Sequence, residues 1–414
     1  MKVLIVNTSD ILGGAARAAY RLHRSLLVSG VNSHMLVQDK SSDDYSVIGP
    51  DSFRQKLSSK IRPVIDRFPI YRYKNRNQTL FSPSWLPFSE IVDKINQFNP
   101  DIVHLHWIAG GMLRIEDIAK IKAPIVWSLH DNWAFTGGCH IMWDCQKYKT
   151  TCGCCPVLGS LKERDLSYSI FFRKKKVFDK KKGMVIVGVS EWIANCAKES
   201  SLFKHHKVVC LPNPINTNTY SPFDKLNSRE LFNLPIDKKL IAFGAMDATS
   251  DLNKGFKELS KALSYLDKEN IELVVFGSSK PKESISFKHH VHYLGQLKDD
   301  VSLRVLYSAV DVMVVPSRQE AFGQTASEAM ACGTPVVAFG ITGLLDIIDH
   351  KKNGYLAEPC NVVDLFEGIN WVLYSSEYEQ LCNNARNKIT ENFDSKLIAE
   401  KYIQLYRKIL CNSL

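Results

Sequence analysis

No stretch of the 414 residues approaches the eighteen or so consecutive apolar residues of a membrane span. Lys2 precedes only four strongly apolar residues, too few for a signal peptide, so the chain is expected in the cytoplasm. Internal repeats and low-complexity tracts are absent, which excludes solenoid and linker-dominated architectures. The eleven cysteines lack the even number of a secreted disulfide framework. Several of them, Cys196, Cys332 and Cys382, stand alone in expected helices, which favours a reducing compartment. Acidic residues are scarce in the first half. Residues 1–210 hold 31 Lys and Arg against 18 Asp and Glu, a balance of +13, whereas the remainder holds 22 against 25, a balance of −3.

What is present is alternation of strand and helix over a length that exceeds one core and predicts two domains of about 200 residues each. The opening MKVLIVNTSDILGGAARAAYRLHRSLLVSGVNSHMLV reads as strand, glycine turn, helix and strand, a Rossmann-like unit with Gly13 and Gly14 where backbone approaches a ligand. GGA is not the GxGxxG fingerprint, and a purely structural turn explains it equally well. Further strands are expected at DIVHLHW, APIVWSLH and MVIVGVS. The Pro/Asn-rich KVVCLPNPINTNTYSP reads as a hinge, so the domains are expected at 1–209, joined by a C-terminal helix at 395–414, and at 210–394. Strands of the second domain are expected at KLIAFGAM, IELVVFG, HVHYLG, DVMVVPS and PVVAF.

The most informative segment is PSRQEAFGQTASEAMACGTPVVAF, where Glu320 and Glu328 stand eight residues apart between two short apolar strands. A helix starting near Gly323 and Gln324 would offer N–H groups and a positive dipole end to a diphosphate. Were the segment helical throughout, the two carboxylates would lie about 12 Å apart along its axis, far enough to grip the two ends of a sugar nucleotide. The alternative is a pair of solvated helix-end charges.

This segment resembles the C-terminal signature of retaining glycosyltransferases of family 4, an E-x7-E motif followed by EAM-A-G-PVVA. The resemblance implies the α/β fold called GT-B, two Rossmann-like domains facing a central cleft with the last helix crossing back to the first domain. It implies that Glu320 contacts the donor hexose, Glu328 the ribose, and the backbone of Ala321, Phe322 and Gly323 the sugar and phosphates. FGAMDATSDLNKGF resembles the family's donor-phosphate motif, which carries over Gly244 and Lys254; the family's arginine is missing, because Ala245 follows Gly244. Arg318 is the nearest candidate to compensate. LPNPIN resembles the family's PNG hinge, with Pro214 in place of glycine. His130, in WSLHDNWAFTGG, occupies the family's histidine position, with Asp131 to orient it or touch the acceptor. His104 and His106 alternate along a strand; His106 is the second candidate.

Cys139, Cys145, Cys152, Cys154 and Cys155 form the cluster C-x5-C-x6-C-x-C-C. Cys139, Cys145, Cys152 and Cys155 could ligate a structural zinc, or the thiols could simply be reduced packing groups. The HD-W-TGGC and CG-CP stretches around them resemble polysaccharide glycosyltransferases of the same family.

Two basic stretches interleaved with aromatics, FRQKLSSKIRPVIDRFPIYRYKNRN and FFRKKKVFDKKK, suit an anionic surface or are merely solvated. No nucleic-acid motif accompanies them, so an anionic membrane face carrying a lipid-linked acceptor is expected and nucleic acid is not. The expected reaction is transfer of a hexosyl unit from a GDP- or UDP-sugar to a lipid-linked glycan, with retention, as in O-antigen, capsule or exopolysaccharide synthesis. D-x-D occurs nowhere, so no metal cofactor is expected for catalysis. A sugar-nucleotide epimerase on the same fold, or a non-catalytic basic scaffold with a decayed donor pocket, are the competing readings.

Overall fold

The computed structural model describes residues 1–244, 251–267, 269–277 and 288–411. The chain divides into two compact units, Met1–Pro214 with Ile398–Leu414, and Ile215–Leu397.

The first unit is built on seven strands: β1 (Lys2–Ser9), β2 (Asn32–Asp39), β3 (Val47–Ile48), β4 (Ile102–Leu105), β5 (Ile125–Leu129), β6 (Val185–Gly188) and β7 (Lys207–Cys210). They pair in parallel in the order β3-β2-β1-β4-β5-β6-β7. Strands such as IVHL and IVWSL are buried at every position, as a parallel sheet covered on both faces requires. The second unit repeats the plan with β8 (Lys239–Gly244), β9 (Ile271–Phe276), β10 (Val291–Tyr293), β11 (Val312–Val315), β12 (Val336–Phe339) and β13 (Gly354–Ala357), in the order β10-β9-β8-β11-β12-β13. Both sheets reverse direction of growth between their first and fourth strands, β1 and β4 in one, β8 and β11 in the other. The C-terminal ends of those strands are where such sheets open a crevice.

β3, β7 and β13 were not expected from sequence. Val47–Ile48 is too short to show a pattern, and KVVC had been read into the hinge. Because β7 hydrogen-bonds β6 along Val185 to Gly188, it belongs to the first unit, and the division falls at Pro214 rather than after residue 209. The return point is Ile398 rather than residue 395, inside the helix Ser395–Cys411.

That helix buries Ile398, Ala399, Tyr402, Leu405 and Tyr406 against Val3, Ile5, Val126 and Val187 of the first sheet. Two hydroxyls lock it in register: Tyr406 Oη lies 2.7 Å from His104 Nδ1, and Tyr402 Oη 3.1 Å from Ser128 Oγ, which in turn meets His104 Nε2 at 2.8 Å. His104, fully buried, is thus the structural histidine of the pair on β4. Tyr406→Phe leaves His104 Nδ1 buried without a partner, a change expected to cost about 1–3 kcal/mol. Six of the seven tryptophans lie in the first unit, so urea unfolding followed by tryptophan fluorescence reads this loss as a lower midpoint; an unchanged midpoint refutes it.

Candidate functional site

In the second unit, β11 ends at Val315 and the chain runs through a loop into the helix Gln324–Ala331. Glu320 therefore lies in the loop, not on the helix, and the all-helical spacing is replaced by an extended lead into the helix. The loop is pinned from below: Thr342 Oγ1 accepts from Glu320 N at 2.9 Å, and Gly343 N donates to Glu320 O at 2.9 Å. The Glu320 carboxylate accepts from Ser317 Oγ at 2.9 Å and meets Lys254 Nζ at 2.6 Å through the same oxygen, Oε1. Burial alone would lower the Lys254 pKa; the adjacent Glu320 charge outweighs it and raises it above the ordinary lysine value. The two side chains remain 22% and 19% exposed, so the pair can be reached by a ligand.

Lys254 reaches this position because Gly255 turns left-handed at φ 70; a Cβ there would stand 1.9 Å from Pro316 O, so only glycine lets the loop after β8 lie against the end of β11. Asn253 completes the seam, donating its Nδ2 to Gln319 O at 2.8 Å while its carbonyl accepts from Arg318 N at 2.9 Å. Gly323 caps the following helix at φ 105 with no side-chain acceptor, and Phe322 is buried. Glu328 is 3% exposed on the helix, where it accepts a 2.9 Å hydrogen bond from Tyr307 Oη.

Two of the expected donor residues also serve the fold itself. Arg318 pairs with Glu258 on the helix Phe256–Leu263 rather than with the Lys254 and Glu320 group, so its charge is already balanced. Gly244 is required by packing, since a Cβ would stand 2.3 Å from the Phe276 ring. Ala245, where the family's arginine is missing, lies outside the described residues.

In the first unit, the ends of β4 and β5 bring together His106, His130 and Asp131. His106 Nδ1 and His130 Nε2 are 2.8 Å apart and the rings stack at 5.1 Å. Burial holds His130 down to about 4, against a smaller upward pull from Asp131, and holds His106 well below its ordinary value, helped by His104 and His130. Both rings are therefore neutral at pH 7, one donating and the other accepting. His106 Nε2 is buried without a hydrogen-bond partner. Asp131 is held by Trp107 Nε1 at 2.7 Å, His140 Nδ1 at 2.6 Å and Trp133 N at 2.8 Å. Burial would raise its pKa, but His140 and these donors outweigh that and lower it. Gly13, at φ 97, caps the helix Gly14–Val28 after β1, and a Cβ at Gly14 would meet nothing within 4 Å.

Ser317, Thr342, Asn253, Tyr307, Trp107 and His140 were not singled out from sequence. Ser317 stands three residues before Glu320 and was within reach of a local argument. Tyr307 and Thr342 come from other elements and carry no local signal.

The four cysteines 139, 145, 152 and 155 line one cavity with Gly137 and Met142. All eleven cysteines are free thiols. The second basic stretch turns partly inward. Lys174 is fully buried, donating to Trp133 O and, at 3.1 Å, to Thr136 O, 3.7 Å above the Trp133 ring. Burial brings this ammonium down to about 7. Arg173 is taken up by Glu116 and the carbonyls of Pro83 and Ser84. No helix among the described residues is long and apolar enough to cross a membrane.

Residues 12–219 match the family described as Glycosyltransferase Family 4, and residues 233–391 match Glycosyl transferases group 1. The chain spans about half the length of the first curated relatives it matches. One is an uncharacterized glycosyltransferase of Methanocaldococcus jannaschii, 33% identical over 44% of this chain and 48% of that protein. Another is the N,N'-diacetylbacillosaminyl-diphospho-undecaprenol alpha-1,3-N-acetylgalactosaminyltransferase of Campylobacter jejuni, 33% identical over 48% of this chain and 53% of that one. A putative colanic acid biosynthesis glycosyl transferase of Escherichia coli is 23% identical over 99% of this chain and all of its own length. Among solved structures, sucrose-phosphate synthase from Thermosynechococcus elongatus matches over 100% of both chains with a TM-score of 0.69 at 18% identity. Anabaena HepE in complex with UDP-glucose covers 99% of this chain and 100% of its own, with a TM-score of 0.67 at 15% identity.

The histidine cluster sets a pH dependence. The folded-state pKa values of His130, about 4, and His104, about 3, lie below the unfolded value of about 6.5. Between those limits the unfolded chain binds more protons, so stability rises with pH. It is fully present above about pH 6.5 and is lost as pH falls toward 4. Urea midpoints at pH 7.5 and 5.0 are expected to differ in that direction; equal midpoints would mean that the cluster is protonated in the fold.

Proposed function

Because the chain belongs to glycosyltransferase family 4 and has the two-domain GT-B fold, we propose that it transfers a hexosyl unit from a nucleoside diphosphate sugar to a glycan acceptor with retention of configuration. The observation that carries this reading is the Lys254–Glu320 pair at 2.6 Å, held beside the start of the helix Gln324–Ala331. In the transfer, the bond from the anomeric carbon to the diphosphate oxygen breaks, and a bond to the acceptor hydroxyl oxygen forms on the same face. The hydroxyl proton leaves with the diphosphate. The charge left on the diphosphate meets the Lys254 ammonium and the N–H groups of the helix's first turn, both fixed in advance. Glu320 holds the hexose hydroxyls, with the backbone of Ala321, Phe322 and Gly323 alongside. Glu328, oriented by Tyr307, accepts from the ribose. His130 serves the reacting centre as a neutral imidazole, with Asp131 and His106 fixing its surroundings; Gly13 and Gly14 approach the donor.

The donor is a UDP- or GDP-sugar. The Anabaena protein was solved with UDP-glucose, which supports the nucleotide but not the base. The acceptor is a lipid-linked oligosaccharide of a surface polysaccharide, supported by the diphospho-undecaprenol acceptor in the name of the Campylobacter relative and the colanic acid assignment of the Escherichia one.

A surface feature supports the lipid. The helix Phe53–Asp66 carries Phe53, Leu57, Ile61 and Val64 at a spacing that places them on one face. That face is turned to solvent, at 80%, 47%, 42% and 63% exposure, while the buried positions of the helix are Ser59 and Asp66. Phe68 and Tyr71 continue the exposed apolar row, and exposed Arg54, Lys56, Lys60 and Arg67 flank it. An apolar stripe with basic borders suits the interface of an anionic bilayer, and we propose peripheral attachment to the inner face of the plasma membrane through it.

Glu320→Ala is expected to lower sugar transfer by at least about 100-fold while far-UV circular dichroism and melting stay near wild type; retained turnover sinks the assignment. In a thermal-shift panel of UDP, GDP, ADP and their sugars, one base is expected to stabilise the protein, and Glu328→Ala to remove that shift. No shift with any nucleotide favours the scaffold reading. Co-sedimentation with phosphatidylglycerol vesicles tests the stripe. Ile61→Ser is expected to weaken binding about tenfold, the loss of one buried aliphatic side chain. Equal binding by the variant, or equal binding to phosphatidylcholine, removes the membrane assignment.

A further inference from the structure

The cysteine loop of the first unit takes no part in the transfer as proposed, yet it gathers four cysteines around one cavity. We propose that Cys139, Cys145, Cys152 and Cys155 bind one zinc ion, which fastens the loop 137–157 behind His140 and Asp131.

Four cysteines from a seventeen-residue stretch line one cavity of about 20 Å³, the room of a single water or ion. The lining offers a water little to bond: besides the cysteines it consists of Gly137, Met142, Lys147, Gly153, Pro156, Val157 and Ser167. Cys152 and Cys155 face the same cavity because the chain turns sharply between them, with Gly153 at φ 154 and Cys154 at φ 44. A Cβ on Gly153 would stand 2.2 Å from Glu163 O, so the turn admits only glycine there. The fifth cysteine is directed elsewhere, its Sγ 3.4 Å from Leu161 O.

A second observation is a donor aimed at one of the sulfurs: Gly137 N donates to Cys152 Sγ at 3.1 Å. An amide donor at sulfur is a usual surrounding of metal-bound cysteine. Charge is also met. Four thiolates around a divalent ion carry a net charge of −2, and Lys147, anchored by Gly153 O at 2.8 Å and Cys154 O at 3.2 Å, stands at the cavity wall. Among the described residues no three of these sulfurs lie within 4.8 Å of one another. Holding one ion therefore requires the sulfurs to draw together around it, and each thiol gives its proton to solvent on binding. Thiolate chemistry selects zinc over magnesium or calcium.

Among the described residues, the one trio already within 4.8 Å, Glu272, His290 and His292, sits on the strands β9 and β10 or just before them. His290 is exposed and His292 is spent in a 2.6 Å pair with Glu272, so it makes a weaker case.

The ion would act as a positioning element. Cys139 is bonded to His140, whose Nδ1 holds Asp131 at 2.6 Å, and His140 O accepts from Asn132 N at 3.1 Å. Fixing Cys139 therefore fixes the two residues that follow His130.

Elemental analysis of the full chain, purified with reductant from zinc-supplemented cells and dialysed, is expected to find about one zinc per chain. Cys145→Ser and Cys152→Ser should lower that content several-fold, and Cys154→Ser and Cys196→Ser should leave it unchanged. Cobalt added to chelator-treated wild type should give a thiolate-to-cobalt charge-transfer band with tetrahedral d–d absorption, a readout that does not depend on any variant folding. Wild-type protein that holds no zinc and gives no such band overturns the proposal. So does zinc retained by the Cys145→Ser/Cys152→Ser double variant, or recovery of the four thiols as disulfides under these conditions.

Discussion

Parallel pairing in both sheets is the constraint from which the rest follows. A parallel sheet needs a crossover after every strand and helices on both faces, so its strands become nearly continuous apolar runs with no room for polar groups. Chemistry is displaced to the loops at the strand ends, and the reversal between first and fourth strands leaves a gap there that no crossover covers. The described candidate residues obey this. Gly13 follows β1, His106 follows β4, His130 follows β5, Lys254 follows β8, and Glu320 follows β11. The same constraint explains why the polar side chains that β4 and β5 carry inward, His104 and Ser128, are linked to each other and to hydroxyls: Tyr402 and Tyr406 arrive from the last helix to satisfy them.

Electrostatics in the two candidate clusters follow different rules. The second unit uses opposite charges in contact, Lys254 against Glu320, at a place where both keep some access to solvent. The first uses neutrality: burial strips the charge from His106 and His130 and leaves them as a donor–acceptor pair, while Asp131, with three donors, keeps its charge. The pair in the second unit suits a ligand that offers both an anion and hydroxyls, and the pair in the first unit suits hydrogen bonding without competing for protons.

The two basic stretches, similar in composition, part company in the fold. In the helix Leu166–Phe178, Phe171, Phe178 and Lys174 face the interior, so much of its aromatic content is core. In the helix Phe53–Asp66 the apolar face is the exposed one. Composition does not distinguish these cases, because either face of an amphipathic helix can be the one that is covered.

Much of the fold was legible in the sequence, and the reason is local. Buried parallel strands are recognisable as apolar runs, the helix after Gly323 by its Gln-Thr-Ala-Ser-Glu-Ala composition, and the E-x7-E segment by its resemblance to a family. β3 escaped because two residues carry no pattern, β7 because KVVC runs straight into the Pro/Asn-rich hinge, and β13 because GYLA opens on glycine and holds no β-branched residue. The partners of the site residues escaped for a different reason. Tyr307 at Glu328, Thr342 at Glu320 and Tyr406 at His104 join positions 21, 22 and 302 residues apart. Glu320 could be singled out as a candidate from its neighbours in the chain. That its oxygen meets Lys254, that Arg318 is neutralised by Glu258, and that four of five clustered cysteines share a cavity while the fifth turns away depend on which loops the closed sheets bring side by side. Periodicity and composition report which residues are buried; only the packed structure decides what each buried or half-buried charge is buried against.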